Sequence, residues 1–177
     1  MEITELKIES PIGPLRLAAS DAGLCAIRFD GGASRLKTRL PGAHAAPSAA
    51  RQAVLERTRR ALDRYFAGAP EDFGGIPLDP GGTDFQRRVW ESLRAIPRGQ
   101  TRSYGAIAAA VGRPRAVRAV GSANRVNPIP IVVPCHRVVG SDGALRGYAG
   151  RLDRKEWLLR HEGASVPEGS APPAIRR

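Results

Sequence analysis

The sequence predicts a two-domain α+β protein, in which a small N-terminal sheet with one helix precedes a helical C-terminal domain. Three observations predict it. Short apolar runs broken by turn residues fill the first thirty positions; a helical apolar period follows from Ser48; and a Pro- and Gly-rich stretch at 69–82 separates two differently patterned halves. With 177 residues, the chain can hold one ordinary domain or two small ones.

The runs Ile3–Leu6–Ile8, Leu15–Leu17 and Leu24–Phe29 are separated by Pro11-Ile12-Gly13-Pro14 and by Asp21-Ala22-Gly23, which predicts an antiparallel meander. Residues 30–47, rich in Gly, Ala and Pro, read as a connection. From Ser48 to Gly68, Val54, Leu55, Ala61, Leu62, Tyr65 and Phe66 fall on one helical face. Domain boundaries are expected at 1–79 and 83–163, with a disordered tail over 164–177.

The second half opens on Thr83 and Gln86, spaced as a capping box, followed by Phe85, Val89, Leu93 and Ile96 on one helical face. Ser103 precedes a short apolar helix that Gly112 ends, and Pro114 suits the first turn of another helix running to about Asn124. Two short helices around a tight turn read either as a helix-turn-helix or as an ordinary core pair. Arg113, Arg115, Arg118 and Arg125 favour nucleic acid. Asp153 and Glu156 are spaced as a second capping box, with Leu152 and Trp157 placed for a hydrophobic staple and Gly163 as the stop.

Charge separates the halves as well. Residues 1–79 hold 11 basic and 10 acidic groups, whereas residues 80–163 hold 15 basic and 6 acidic, within a chain of net charge +11. A GC-rich genome would account for arginine over lysine but not for the excess in one half. One strongly basic half is the footprint of a nucleic-acid binder. No run approaches the roughly 18 apolar residues of a membrane helix, and the acidic start Met1-Glu2-Ile3-Thr4-Glu5 has no signal-peptide character. A cytoplasmic protein is expected.

Two cysteines make no disulfide framework, and the histidines at 44, 136 and 161 show no zinc spacing; no metal is expected. Cys25, within an apolar strand, reads as a small core residue. Cys135 differs. It follows Asn127-Pro128-Ile129-Pro130-Ile131-Val132-Val133-Pro134, whose three prolines forbid a regular helix and hold the chain extended. His136 and Arg137 stand next to it, and a carboxylate such as Glu162 could orient the imidazole, the setting in which a thiol becomes a nucleophile.

Pro134-Cys135-His136-Arg137-Val138 resembles the signature of the O6-alkylguanine-DNA alkyltransferases, or methylated-DNA–protein-cysteine methyltransferases. Ser103-Tyr104, Arg118-Ala119-Val120-Gly121, Asn127-Pro128, Gly147-Tyr148-Ala149-Gly150 and Lys155 through Gly163 resemble the same family, in order and at its spacing. The resemblance is strong over about 83–163 and weak before that. It implies a ribonuclease-H-like N-terminal domain and a winged helix-turn-helix C-terminal domain. The reaction it implies is repair of O6-alkylguanine, with O4-alkylthymine left open, by one irreversible transfer to Cys135 without a cofactor. The implied partner is duplex DNA held by its minor groove, with the damaged nucleotide flipped out. A monomer is expected, and cooperative binding on DNA is left open.

Residue by residue, the resemblance implies that Cys135 attacks the alkyl carbon while His136 and Glu162 relay the thiol proton through a water. Tyr104 would donate to guanine N3. Arg118 would fill the vacated stack, and Asn127 would tie its helix to the cysteine segment. Ser103, Ala119, Gly121 and Arg125 would lie against DNA. Backbone near Val138 would accept from the guanine amine, and Tyr148, Ala149 and Gly150 would form the pocket loop. Ala149 departs from a serine found in some relatives, which costs little where the backbone N–H does the work. For Arg137 a salt bridge and a chemical role stand level. The rival readings each miss a feature of the chain: a lesion-binding module would lack Cys135, a metal-dependent regulator would need a further domain, and a cysteine hydrolase would leave the arginines unexplained.

Overall fold

The computed structural model describes residues 2–30, 43–44, 48–148 and 150–166, and the chain divides into two compact units at Gly81/Gly82. In the first unit, β1 (Glu2–Ile8), β2 (Leu15–Ala19) and β3 (Leu24–Phe29) form the meander. β1 and β2 pair antiparallel with Leu6 opposite Leu17, and β2 and β3 pair antiparallel with Leu17 opposite Ile27. A two-residue strand β4 (Ala43–His44) adds in parallel to β1, giving the order β3-β2-β1-β4. It falls in the segment expected as a plain connection. Two residues carry too little pattern to be seen as a strand.

Helix α1 (Ala49–Phe66) starts at Ser48, whose hydroxyl accepts from Arg51 N. It packs on β1 and β2 through Val54, Leu55, Ala61, Leu62 and Tyr65, which are buried. Phe66, expected on that face, is only half-buried. Arg51 is buried with its guanidinium on Asp21 and Glu2, at 3.0 and 2.6 Å. The Pro/Gly-rich stretch does more than link. Leu24 N donates to Pro77 O and Asp79 N to Leu24 O, both at 2.8 Å, so residues 77–79 line the edge of β3. Cys25 is buried there, as expected of a core residue.

The second unit is helical. In α2 (Asp84–Arg94) both halves of the Thr83–Gln86 capping box form. Trp90 Nε1 donates to Ala123 O at 2.9 Å, fastening α2 to α4 (Val117–Arg125). Between them, β5 (Arg102–Ser103) leads into α3 (Tyr104–Ala110), capped by Ser103 Oγ and ended at Gly112, where φ is +72°. α3 and α4 pack on each other and on α2, as a helix-turn-helix does. Pro114 is not in the first turn of α4. Ala116 N bonds to Arg113 O, so Pro114 and Arg115 form a separate turn and the helix begins at Val117.

Two further expectations are corrected. The cysteine segment is non-helical through Pro134 but not extended throughout, since it turns at Ile131 (φ +76°) with Val133 N on Ile129 O at 2.9 Å. Cys135–Arg137 then closes a single 3-10 turn, with Arg137 N on Pro134 O at 2.9 Å, before β6 (Val138–Val139) pairs in parallel with β5. The second capping box does not form. α5 (Leu152–His161) starts two residues early, from Arg151 at φ +78°, with no side-chain cap. Asp153 is therefore already helical and pairs with Arg151, while Glu156 pairs with Arg160. Leu152 is exposed and staples nothing. Of the expected tail, Ala164 is buried with its N–H on Leu159 O; residues 167–177 lie outside the described residues. Among the described residues no helix is long and apolar enough to cross a membrane.

Candidate active site

Ile129, Ile131, Val132, Val133, Val138 and Val139 are all buried, so the apolar residues around the three prolines anchor the cysteine segment in the core. Two asparagines at the end of α4 hold it. Asn124 Nδ2 donates to Cys135 O at 3.3 Å. Asn127 Nδ2 donates to Val133 O at 2.8 Å, and its Oδ1 accepts from Ile129 N at 3.0 Å. Asn127, just beyond α4, is thereby bonded to the segment that leads into Cys135. Asn124 was not foreseen; its small-residue helix masks a side chain that turns inward.

Cys135 is buried, and burial pushes its thiol up to about 11, against Asn127 and the charge of Lys155. The resting sulfur is a neutral thiol, so a nucleophile requires a proton acceptor. His136, in the same 3-10 turn, is fully buried, and its Nε2 lies 2.8 Å from Glu162 Oε1. Burial holds the imidazole below its usual range despite the opposing pull of Glu162. An ionised carboxylate only accepts, so Nε2 carries the hydrogen and Nδ1 is the basic nitrogen of a neutral ring. Nδ1 is buried with no hydrogen-bond partner among the described residues.

Glu162 terminates α5 and receives Arg137 twice, Nε at 2.8 Å and Nη2 at 2.9 Å. Burial pulls its carboxyl upward, but the hydrogen bonds from His136 and Arg137 and the guanidinium charge outweigh this and hold it below the usual carboxylate range. Arg137 also donates to Ile96 O at 2.5 Å. Its side chain is committed to buried structure, which favours the salt-bridge reading.

Tyr104, the first residue of α3, donates its hydroxyl to Arg146 O at 3.0 Å. Burial and the neighbouring Cys135 raise its pKa, so it remains a proton donor. Gly147 makes this approach feasible: its φ is +59°, and a Cβ there would lie 3.0 Å from the Tyr104 oxygen. Lys155 belongs to the motif that runs to Gly163, and its residue type alone points to no role. It is fully buried, burial brings its ammonium down to about 8, and Nζ donates to Val138 O at 2.5 Å and Arg146 O at 2.7 Å. The helical spacing Lys155–Leu158–Leu159–Glu162 was the available signal, because it places both ionisable groups on the apolar face. Val138 is therefore a carbonyl already accepting from a buried cation.

The other residues expected at the site differ in exposure. Arg118, Ala119 and Arg125 are exposed on α4. Gly121 lies where a Cβ would touch the Tyr104 ring at 4.0 Å, and Ser103 is spent on capping α3. Tyr148 and Gly150 are buried; Ala149 lies outside the described residues.

Comparison with known proteins agrees over both units. The family model described as 6-O-methylguanine DNA methyltransferase, DNA binding domain, matches residues 84–164, and that of the ribonuclease-like domain matches residues 3–80. A methylated-DNA–protein-cysteine methyltransferase of Methanosarcina barkeri is 48% identical over 155 residues, covering 88% of this chain and 94% of its own. One from Salmonella typhimurium is 45% identical over 167 residues, with coverage of 92% and 97%. Among solved structures, Mycobacterium tuberculosis OGT in complex with DNA is similar with a TM-score of 0.76 at 41% identity, covering 95% of this chain and 96% of that one.

Proposed function

Since the chain belongs to the 6-O-methylguanine DNA methyltransferase family by both domain matches, we propose that Cys135 is the acceptor of its alkyl-transfer reaction. The protein is a methylated-DNA–protein-cysteine methyltransferase that repairs DNA by moving the alkyl group of O6-alkylguanine directly onto a cysteine. The observation that carries the assignment to Cys135 is the buried pair beside it. His136 directs Nε2–H at Glu162 and keeps Nδ1 basic, next in sequence to a thiol that burial holds protonated.

In this reading the thiol proton passes to His136 Nδ1 through an intervening water, and the sulfur attacks the alkyl carbon. The S–C bond forms as the C–O6 bond breaks, and the electron pair returns to the guanine ring. Tyr104 leaves Arg146 O to donate to guanine N3 and offsets the charge developing there. Lys155 keeps Arg146 O satisfied when it does so. The target carbon is inaccessible in a stacked duplex, so the nucleotide must be flipped. Arg118, exposed on α4 among small residues, is suited to take its place in the minor groove. The product thioether is not a substrate for thiol exchange, so each molecule acts once. Dependence on a free thiol that must stay reduced fits a cytoplasmic location.

The test is incubation with a duplex containing one O6-methylguanine, followed by intact-protein and peptide mass measurement. The expected result is one added methylene per chain, on Cys135. A chain that stays unmodified, or carries the methyl elsewhere, overturns the assignment.

A further inference from the structure

Arg151 holds a backbone conformation, φ +78° and ψ 149°, that is essentially reserved for glycine. Gly150 stands immediately before it, so the chain has a glycine at hand but places a side chain on the strained residue. Packing does not account for this, because the Arg151 side chain is 66% exposed. Its ion pair with the half-buried Asp153, at 3.2 Å, leaves most of the guanidinium facing solvent, where such a pair contributes little stability. An exposed guanidinium retained against backbone strain has its use outside the free chain.

The location indicates what that use is. Arg146 O accepts from the Tyr104 hydroxyl and Gly147 lies against it, Tyr104 lies beside Gly121 of α4, and Lys155, one turn after Arg151, also donates to Arg146 O. Arg154 follows one turn later, donating to Gly150 O at 3.4 Å, and Arg146 is exposed on the other flank. Three arginines therefore cluster at one loop and the helix start after it, Arg146 and Arg151 with their side chains well exposed. Such a group fits a polyanion better than it fits the surface of a free protein.

We propose that Arg151 binds a backbone phosphate of the DNA strand beside the flipped nucleotide, fixing the mouth of the pocket on the lesion. The proposal rests on the repair reading above. Phosphate contacts position a protein without reading sequence, so Arg151 would act alike on every sequence context. Backbone strain is then the cost of placing the guanidinium where a phosphate passes.

The experiment compares full-length wild type with Arg151→Gly, Arg151→Ala and Arg151→Lys, measuring duplex affinity against salt and the thermal midpoint. The glycine and alanine variants should bind about tenfold more weakly, with the log–log salt slope reduced by about one. The lysine variant should recover most of both. Arg151→Gly alone should melt higher, by about 2 °C or more, because it relieves the strain. An unchanged salt slope in Arg151→Gly overturns the phosphate contact, and a midpoint no higher than wild type overturns the strain. Methyl transfer to Cys135 in the wild type, measured in parallel, tests the underlying reading separately.

Discussion

Glu162 receives three hydrogen bonds from two basic side chains in a space closed to solvent. Its replacement by glutamine keeps the volume but leaves the Arg137 guanidinium buried without a counter-charge, which costs about 3–5 kcal/mol. Glu162→Gln should therefore lower stability by about that amount in a denaturant titration, and slow methyl transfer by about 10²-fold or more through loss of His136 orientation. Full activity in a folded Glu162→Gln protein would remove the relay from the mechanism. The pH dependence follows from His136. A base works only when deprotonated, and burial holds this imidazole below its ordinary 6.5. Transfer should accordingly stay level from pH 8 down to about 6.5 and decline only below that. A decline centred above 6.5, followed by single-turnover rates, would point to another base.

Helix α4 and the cysteine turn are joined by side chains rather than by a continuous element. Asn127 satisfies one buried carbonyl and one buried N–H of the segment before Cys135. Asn127→Ala orphans both groups and should cost about 2–5 kcal/mol in equilibrium unfolding, a loss that an exposed position on α4 would not produce. Element ends also show how far local patterns reach. Thr83 and Gln86 make their box because Thr83 has the extended backbone that a cap needs. Asp153 and Glu156 have the same spacing, but the turn through Arg151 starts α5 earlier, so Asp153 is already helical. Pro114 misleads similarly: a residue suited to a helix start is equally suited to the turn that it occupies.

Over the whole molecule, the decisive property is the uneven charge, with 15 basic and 6 acidic groups in residues 80–163 of a chain of net charge +11. Phosphate neutralisation releases counterions, so affinity for undamaged duplex should fall by about 10- to 1,000-fold between 50 and 200 mM salt. Affinity that barely changes in a fluorescence anisotropy titration would mean that the basic half is not the DNA surface. The fold class belongs to this scale too. A meander, one amphipathic helix and then successive short helices were visible as a change of period along the chain.

The sequence by itself determined what is local or carried in a motif: most helix starts, the apolar faces, the three strands of the meander, the basic half, and Cys135 in its proline frame. Periodicity marks which face is buried, but not which face it meets. A His136–Glu162 pair across 26 residues was already expected from sequence; the tertiary structure alone decided that Arg137 joins it on Glu162 and also takes the carbonyl of Ile96. It likewise brought Lys155 onto Val138 and Arg146, and Asn124 onto Cys135. The physical reason is common to all of these. A buried polar group must find a partner, and the partner is whichever donor or acceptor the packing of distant elements leaves within reach.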